Sequence, residues 1–195
     1  MAKIVSSIKG SVVHEFLRWF ERQPDGAATL KRIGASLSPE DRALVDVTAP
    51  GLGLLASQWY PSTLVNVILD GVALGLTRVE QRALAREACR AVVPKLVRGM
   101  YRVMFDGIAT PALYARFVPR LWTQLHTTGS RTMTVAGSTA DSVVSNWAGH
   151  HPLLCDVVIE TMGELFRLMV HRPVTVERLE CVSEGGAVCR STLRW

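Results

Sequence analysis

Three cysteines in the last quarter of the chain have the clearest capacity for chemistry. Cys181 and Cys189 form a Cys-x₃-Gly-x₃-Cys segment around Gly185, and Cys155 precedes them. Thiolates suit a borderline-soft divalent ion, and zinc takes sulfur at about 2.3 Å in tetrahedral sites. Glu177, Glu180, His150 and His151 are the candidate fourth ligands, with the two glutamates placed first. The spacing fits three small core cysteines equally well. Geometry argues for convergence all the same. Cys181 and Cys189 fall on the two strands of one tight hairpin, and strands lie about 4.8 Å apart. A helix carrying Cys155 must cross that hairpin to bury its apolar stripe, so the three sulfurs are expected to meet.

A second feature is a run of arginines. Arg78, Arg82, Arg86 and Arg90 recur every four residues and form one slowly turning stripe on a helix. Between Arg78 and Arg131 there are ten basic residues against Glu80, Glu87 and Asp106, within a net charge of +5. The stripe reads either as a docking face for an acidic partner or as the solvated side of an amphipathic helix. The basic residues carry no interleaved aromatics and no nucleic-acid motif, so nucleic acid is not an expected partner. Catalytic signatures are missing too: there is no Gly-x-Ser-x-Gly, no phosphate loop and no His-Glu-x-x-His. The chain is read as non-enzymatic. His150-His151 before Pro152 reads as a capping turn.

The elements that position these residues follow from periodicity and punctuation. With 195 residues, 48% hydrophobic and 20% charged, the chain is long enough for one well-buried domain over residues 1–195. Helices are expected over Ser11–Arg22, Ala27–Ile33, from Ser38-Pro39, and from Pro61 after an extended piece at Leu54–Tyr60. Thr77-x-x-Glu80 is a capping box that opens a long helix through Val93. Pro94 kinks or ends it, helical pattern resumes through Phe105, and Thr110-Pro111 starts another helix that ends at Thr128-Gly129. After Gly129 the period changes from 3.6 to 2. Arg131–Ala136 and Asp141–Trp147 read as a hairpin, His151–Val170 as a helix with Leu154, Val157, Val158, Thr161, Leu165, Leu168 and Met169 facing inward, and Val174–Val182 and Val188–Trp195 as two further strands. The fold class is α+β: a helical N-terminal two-thirds followed by a β-β-α-β-β unit with a four-stranded antiparallel sheet. From Ala49 to Leu76 the only charge is Asp70, but prolines and glycines break the stretch, so a core helix is expected there rather than a membrane span. Met1–Gly10 lacks an apolar signal core, which places the protein in a bacterial-type cytosol with reduced thiols.

Cys155, Cys181, Gly185 and Cys189 resemble the pattern of the four-vinyl-reductase domain, within the haem-NO-binding and TRAPP-like ligand-binding superfamily. That resemblance implies a TRAPP-like fold, a buried aromatic-binding pocket in some members, and a structural zinc on three cysteines and a Glu three residues before the second. Here that position is Arg178, and Gly186 stands where an Asp usually follows Gly185. Over its whole length the chain is similar to a bacterial family of comparable length, much expanded in myxobacteria. The landmarks are Lys9-Gly10-Ser11, Trp59-Tyr60-Pro61, Gly99-Met100-Tyr101-Arg102, Pro119-Arg120-Leu121-Trp122, Gly129 and Leu193-Arg194-Trp195. The haem branch uses a helical His and a Tyr-x-Ser-x-Arg motif. No such motif occurs, and haem is not expected. The resulting expectation is a sensor or regulatory module for a hydrophobic or aromatic small molecule, with Trp59, Tyr60, Met100, Phe105, Phe117 and Trp122 lining a pocket between helices and sheet. The alternative is a protein-interaction module with a filled core. In that alternative the helices at Leu64–Leu76 and Thr77–Val93 form the interface. A homodimer is expected, because the resembled branches dimerise through N-terminal helices and the Ala49–Leu76 stretch is nearly uncharged.

Overall fold

The computed structural model describes residues 6–98 and 110–195. Its N-terminal part carries α1 (His14–Glu21), α2 (Gly26–Ser36), the single turn α3 (Pro39–Arg42), α4 (Ser62–Ala73) and α5 (Arg78–Arg98). α6 (Pro111–Leu125) and α7 (Pro152–Val170) follow. Local signals set many of these boundaries. Ser38 Oγ accepts from the Asp41 N–H at 3.0 Å and Pro39 fills the first helical position of α3. Thr77 and Glu80 close the capping box, with Thr77 N–H donating to Glu80 Oε2 at 2.7 Å and Glu80 N–H to Thr77 Oγ1 at 3.3 Å. Thr110 Oγ1 caps α6 by accepting from Leu113 N–H. Pro94 does not end α5, which continues to Arg98. The expected helical continuation to Phe105 lies outside the described residues.

One strand escaped the sequence reading, and a second falls at the end of the extended piece expected at Leu54–Tyr60. β1 (Ser7–Lys9) pairs antiparallel with β2 (Trp59–Pro61), with Ile8 opposite Tyr60. Ile8 also bridges to His126, so this short ribbon sits between the start of the chain and the end of α6. α1 accordingly begins at His14 rather than Ser11.

The C-terminal part forms a four-stranded antiparallel sheet from β3 (Ser130–Ala136), β4 (Thr139–Ser145), β5 (Thr175–Glu180) and β6 (Cys189–Arg194), in the spatial order β3-β4-β6-β5. Gly137-Ser138 joins β3 to β4 as a two-residue turn, with Ala136 opposite Thr139. β5 is an edge strand, with a register shift between Arg178 and Glu180. The inner face alternates as a half-buried strand should, but it is more polar than expected: Arg131, Ser142 and Ser191 are buried beside Ala140, Val144 and Leu193.

α7 lies between this sheet and α5. Met162 and Phe166 join Ala140 and Leu193 in a small core against the sheet. A Cβ at Gly163 would stand 2.5 Å from Val176 Cγ2, so the glycine is what permits this close approach. Leu153, Leu154 and Val157 belong instead to the main core with Ile8, Leu17, Leu64 and Ile68. α7 is therefore buried on more sides than one inward stripe provides; Leu153, Ile159, Met162 and Phe166 join the residues assigned from sequence, while Val158, Thr161, Leu165, Leu168 and Met169 are half-buried. Each fully buried Leu or Phe contributes roughly 1.5–3 kcal/mol. Among the described residues no single helix is long and apolar enough to cross a membrane, and α4 and α5 are bent 107° from each other.

His126 is the titratable weak point of the core. It is 3% exposed, and its ring stacks on Trp122 at 4.0 Å between centroids and meets Trp147 edge-on at 5.1 Å. Burial, aided by the charge of Arg131, drives its imidazole down to about 3. The unfolded chain then binds a proton below about pH 6.5 that the folded chain refuses, so stability falls as pH drops from about 6.5 toward 3. His126 alone is expected to cost on the order of 3 kcal/mol between pH 7 and pH 4. Urea unfolding at both pH values should show a smaller loss for His126→Phe than for the unchanged chain; equal losses would place the acid sensitivity elsewhere.

Candidate metal centre

Four ligand-bearing side chains converge where α7, the β5–β6 hairpin and the β4–α7 turn meet. Pro152 occupies the first helical position of α7, and His151 caps it by accepting from Leu153 N–H at Nδ1, 3.1 Å away. Cys155 follows in the first turn, its N–H bonded to the His151 carbonyl. Cys181 leaves β5, and its carbonyl accepts from both Glu184 and Gly186 N–H at 3.0 Å, which folds the loop back. Gly185 sits at φ 89° within that loop, a conformation that suits glycine. Cys189 opens β6 opposite Val144 of β4. His150 comes from the tight turn after β4, with its N–H on the Trp147 carbonyl and its own carbonyl accepting from Asn66 Nδ2.

Cys181 Sγ lies 3.6 Å from Cys189 Sγ, 4.0 Å from Cys155 Sγ and 3.5 Å from His150 Nε2. The four ligand atoms all lie within 4.8 Å of one another. A tetrahedral zinc with sulfur at about 2.3 Å and imidazole nitrogen at about 2.0–2.1 Å requires S···S edges of roughly 3.8 Å and S···N edges of roughly 3.5 Å. The donor set and its dimensions fit such an ion, with the three cysteines and His150 as its ligands. All three sulfurs are buried and His150 is half-buried. Hydrogen bonding with the Cys155 and Cys189 sulfurs holds the Cys181 sulfur well below the usual thiol range, and the Cys155 thiol is correspondingly pushed up. Burial works against charge on His150, but the Cys181 and Cys189 sulfurs raise its imidazole to about 9.

The two glutamates ranked first from sequence are spent elsewhere. Glu177 faces away from the cluster and pairs with Arg194 at 2.7 Å. Glu180 Oε1 accepts from Ala187 and Val188 N–H and so braces the hairpin loop. His151 caps α7 and meets Asp70 at 3.1 Å. His150 is the residue that arrives, because the turn after Trp147 brings it back over the start of α7. The readable signal was its placement in that turn, one helical turn ahead of Cys155.

The arginine stripe is engaged by acids along its length, with Arg78 and Arg82 partly covered and Arg86 and Arg90 open to solvent. α7 carries Asp156, Glu160 and Glu164 at the same four-residue spacing, and the two stripes pair along parallel helices. Arg78 NH1 lies 3.0 Å from Asp156, Arg86 3.2 Å from Glu160 and Arg90 3.7 Å from Glu164. Arg82 reaches Glu184 in the hairpin loop at 2.5 Å and Asp156 at 3.9 Å. Arg178 pairs with the same Asp156, which is 2% exposed. Burial works against the charge on Arg178, but Cys155, Asp156, Cys181 and Glu184 hold its guanidinium above its ordinary value. The acidic spacing on α7 was visible in the sequence; that α7 would lie against α5 was not.

The expected pocket residues divide between core and surface. Tyr60 is buried and its hydroxyl donates to Gln58 Oε1 while accepting from Leu55 N–H. Trp122 is buried against His126 and donates to the Thr128 carbonyl. Trp59 and Phe117 are 43% and 44% exposed, so they do not line an enclosed space with the other two. Met100 and Phe105 lie outside the described residues. An open depression of about 500 Å³ lies away from all of these, beside Leu37, Pro39, Arg42 and Ala43.

No family model and no curated protein matches the chain. Solved structures do match it in fold. An H-NOX protein from S. oneidensis in the Fe(II)NO ligation state is 11% identical, with a TM-score of 0.65 over 96% of this chain and 98% of that one. A mutant H-NOX protein from K. algicida, Fe(II) and unliganded, is 11% identical with a TM-score of 0.64 over 96% of both chains. A mutant of T. Tengcongensis H-NOX is 11% identical, with a TM-score of 0.59 over 96% of this chain and 97% of that one. Other matching structures concern heme distortion in the H-NOX family and heme redox potential under porphyrin distortion. The exclusion of haem drawn from the missing Tyr-x-Ser-x-Arg is corrected by these neighbours: the fold the chain shares is one that carries haem. Among the described imidazoles, His14 Nδ1 bonds the Leu54 carbonyl, His126 is stacked in the core, His150 and His151 are engaged as above, and His171 is exposed. No haem ligand is assigned among them. The chain shares the mixed helix-and-antiparallel-sheet fold of the H-NOX proteins.

Proposed function

We propose that this chain is a sensory or regulatory domain that binds a small apolar molecule between its helical layer and its sheet. In this reading it catalyses no reaction, works in a reducing cytoplasm, and holds a structural zinc ion on Cys155, Cys181, Cys189 and His150. The observation that carries the sensory part is the fold, which follows H-NOX structures over 96% of both chains for K. algicida. The zinc part is supported by the cluster, in which the three edges at Cys181 match a tetrahedral ion and all four ligand atoms lie within 4.8 Å of one another. A non-catalytic role is supported by the way six acids of the C-terminal half are used. Asp156, Glu160, Glu164, Glu177 and Glu184 face arginines, and Glu180 braces backbone.

A second reading, an assembly module that acts as a homodimer, has its own observation. Leu74 and Val79, on either side of the α4–α5 corner, are 74% and 75% exposed, with Val67 also open on α4. The homodimer would place this corner at its interface and bury roughly 800 Å² or more per partner.

Two measurements separate these readings. Native mass spectrometry of the purified chain is expected to show one zinc per chain. Chelation, or Cys181→Ser, is expected to remove it and cost on the order of 3 kcal/mol, a drop of about 10 °C in melting temperature. A zinc-free chain whose melting is indifferent to chelators would overturn the metal centre. The same spectra, together with thermal shifts against a panel of aromatic and aliphatic molecules, test the sensor. A retained or stabilising small molecule supports it. A dimer that takes none, and that Leu74→Glu or Val79→Glu converts to monomer, supports assembly instead.

A further inference from the structure

Resting on the zinc reading above, we propose that Arg178 is the positioning residue of the metal centre, balancing its charge and tying the metal-bound hairpin to the start of α5 through Asp156 and Glu184. The placement is systematic. Arg178 stands three residues before Cys181, Glu184 three residues after it, and Asp156 directly after Cys155. The β5–β6 hairpin and α7 thus each bring charged groups to a single junction beside their ligands. Arg78 and Arg82 complete it from the first turns of α5.

The charges in that junction do not cancel by themselves. Three guanidinium groups, Arg78, Arg82 and Arg178, face two carboxylates, Asp156 and Glu184. One positive charge is left over. The Arg178 and Asp156 side chains are 8% and 2% exposed, while Arg78 and Arg82, at 33% and 40%, reach water in part. Several of the N–H groups involved, including Arg178 NH1 and Arg78 Nε, are buried with no hydrogen-bond acceptor. A zinc ion on three thiolates and a neutral imidazole carries one net negative charge. A loaded site would set that negative charge beside the spare positive charge of the junction. Arg178 is thus the complement of a three-thiolate, one-histidine site, and its guanidinium fork lets it serve Asp156 and face Glu184 together.

The consequence is reciprocal. If zinc favours the intact junction, the intact junction favours zinc by the same factor. Outer partners of metal ligands typically change affinity 10–100-fold. The test uses the full chain, with zinc affinity measured by competition against a chromogenic chelator. Amide hydrogen exchange across residues 78–86 is followed with and without zinc, and the melting temperature of the metal-free protein is recorded for each variant. Arg178→Gln is expected to weaken zinc binding by about 10–100-fold and to abolish the zinc-dependent slowing of exchange across residues 78–86. Arg178→Lys, which keeps the charge, should recover most of the affinity. Glu184→Gln, at a loop side chain that is 40% exposed, should reduce the exchange protection while leaving the ligands intact. Unchanged affinity in Arg178→Gln overturns the proposal. So does a loss that Arg178→Lys fails to restore and that parallels a lower metal-free melting temperature, since that pattern marks a purely structural residue. Wild-type zinc affinity in Cys181→Ser would instead sink the metal centre itself, a failure distinct from that of Arg178.

Discussion

The pairing of Arg178 with Asp156 is the contact on which the arrangement of the C-terminal half depends. It joins the edge strand β5 to the first turn of α7 at a point closed to water. An uncompensated carboxylate there would cost several kcal/mol, and so would an unpaired guanidinium. Each must find the other, and the register of β5 against α7 is thereby specified more sharply than apolar packing alone could manage. Arg78 and Arg82 extend the constraint to α5, and the Arg86–Glu160 and Arg90–Glu164 pairs continue it along the helices. Those last pairs are half-exposed or more on the arginine side and add little stability individually. Their value lies in alignment, because a one-turn slip of α5 would mismatch the whole stripe.

α7 satisfies two unlike neighbours at once. Toward the sheet it presents Met162, Phe166 and the bare backbone of Gly163. Toward α5 it presents acids. Even the apolar interface holds a charge: Arg131 is 8% exposed, and its guanidinium donates to Ser142 Oγ and to the Met162 sulfur. Burial lowers the Arg131 guanidinium from its ordinary value, and the same charge helps keep neighbouring His126 neutral. A sheet face with Arg131, Ser142 and Ser191 inside is not the face that a simple apolar alternation describes.

This explains which features could be read from sequence. Caps and turns could, because Thr77-x-x-Glu80, Ser38-Pro39 and Gly137-Ser138 act within a few residues of themselves. The meeting of the three sulfurs could, because a hairpin and its crossing helix leave few alternatives. The acid mates of Arg78–Arg90 could not, because nothing local says that α5 and α7 lie side by side. His150 was undervalued for a similar reason: its reach depends on the turn at Trp147, where Asn146 adopts φ 54°. The β1–β2 ribbon is three residues long on each side and joins segments far apart in the chain, beyond any periodic signal. Two of the residues expected to line a pocket, Trp59 and Phe117, were misread on a different count. Aromatic residues report burial, and Trp59 and Phe117 show that even burial does not follow from type alone.

The position of the cysteine–histidine cluster then acquires a physical reason. β5 is the outermost strand of the sheet, with a register shift at its end and alternate residues exposed. Edge strands hold one ladder only and are the first to separate. The cluster sits where this strand turns into its hairpin, and it takes ligands from three segments that would part if the edge opened: α7, the β5–β6 hairpin and the β4–α7 turn. His150 adds a further link, because Trp147 packs edge-on against it at 5.3 Å and also against Trp122 at 5.0 Å. Through these rings the cluster is continuous with α6 and with His126, which bridges to β1. An ion bound there would brace one edge of the sheet against the core, so the same ligands that look local in sequence act on contacts made by residues as distant as Ile8.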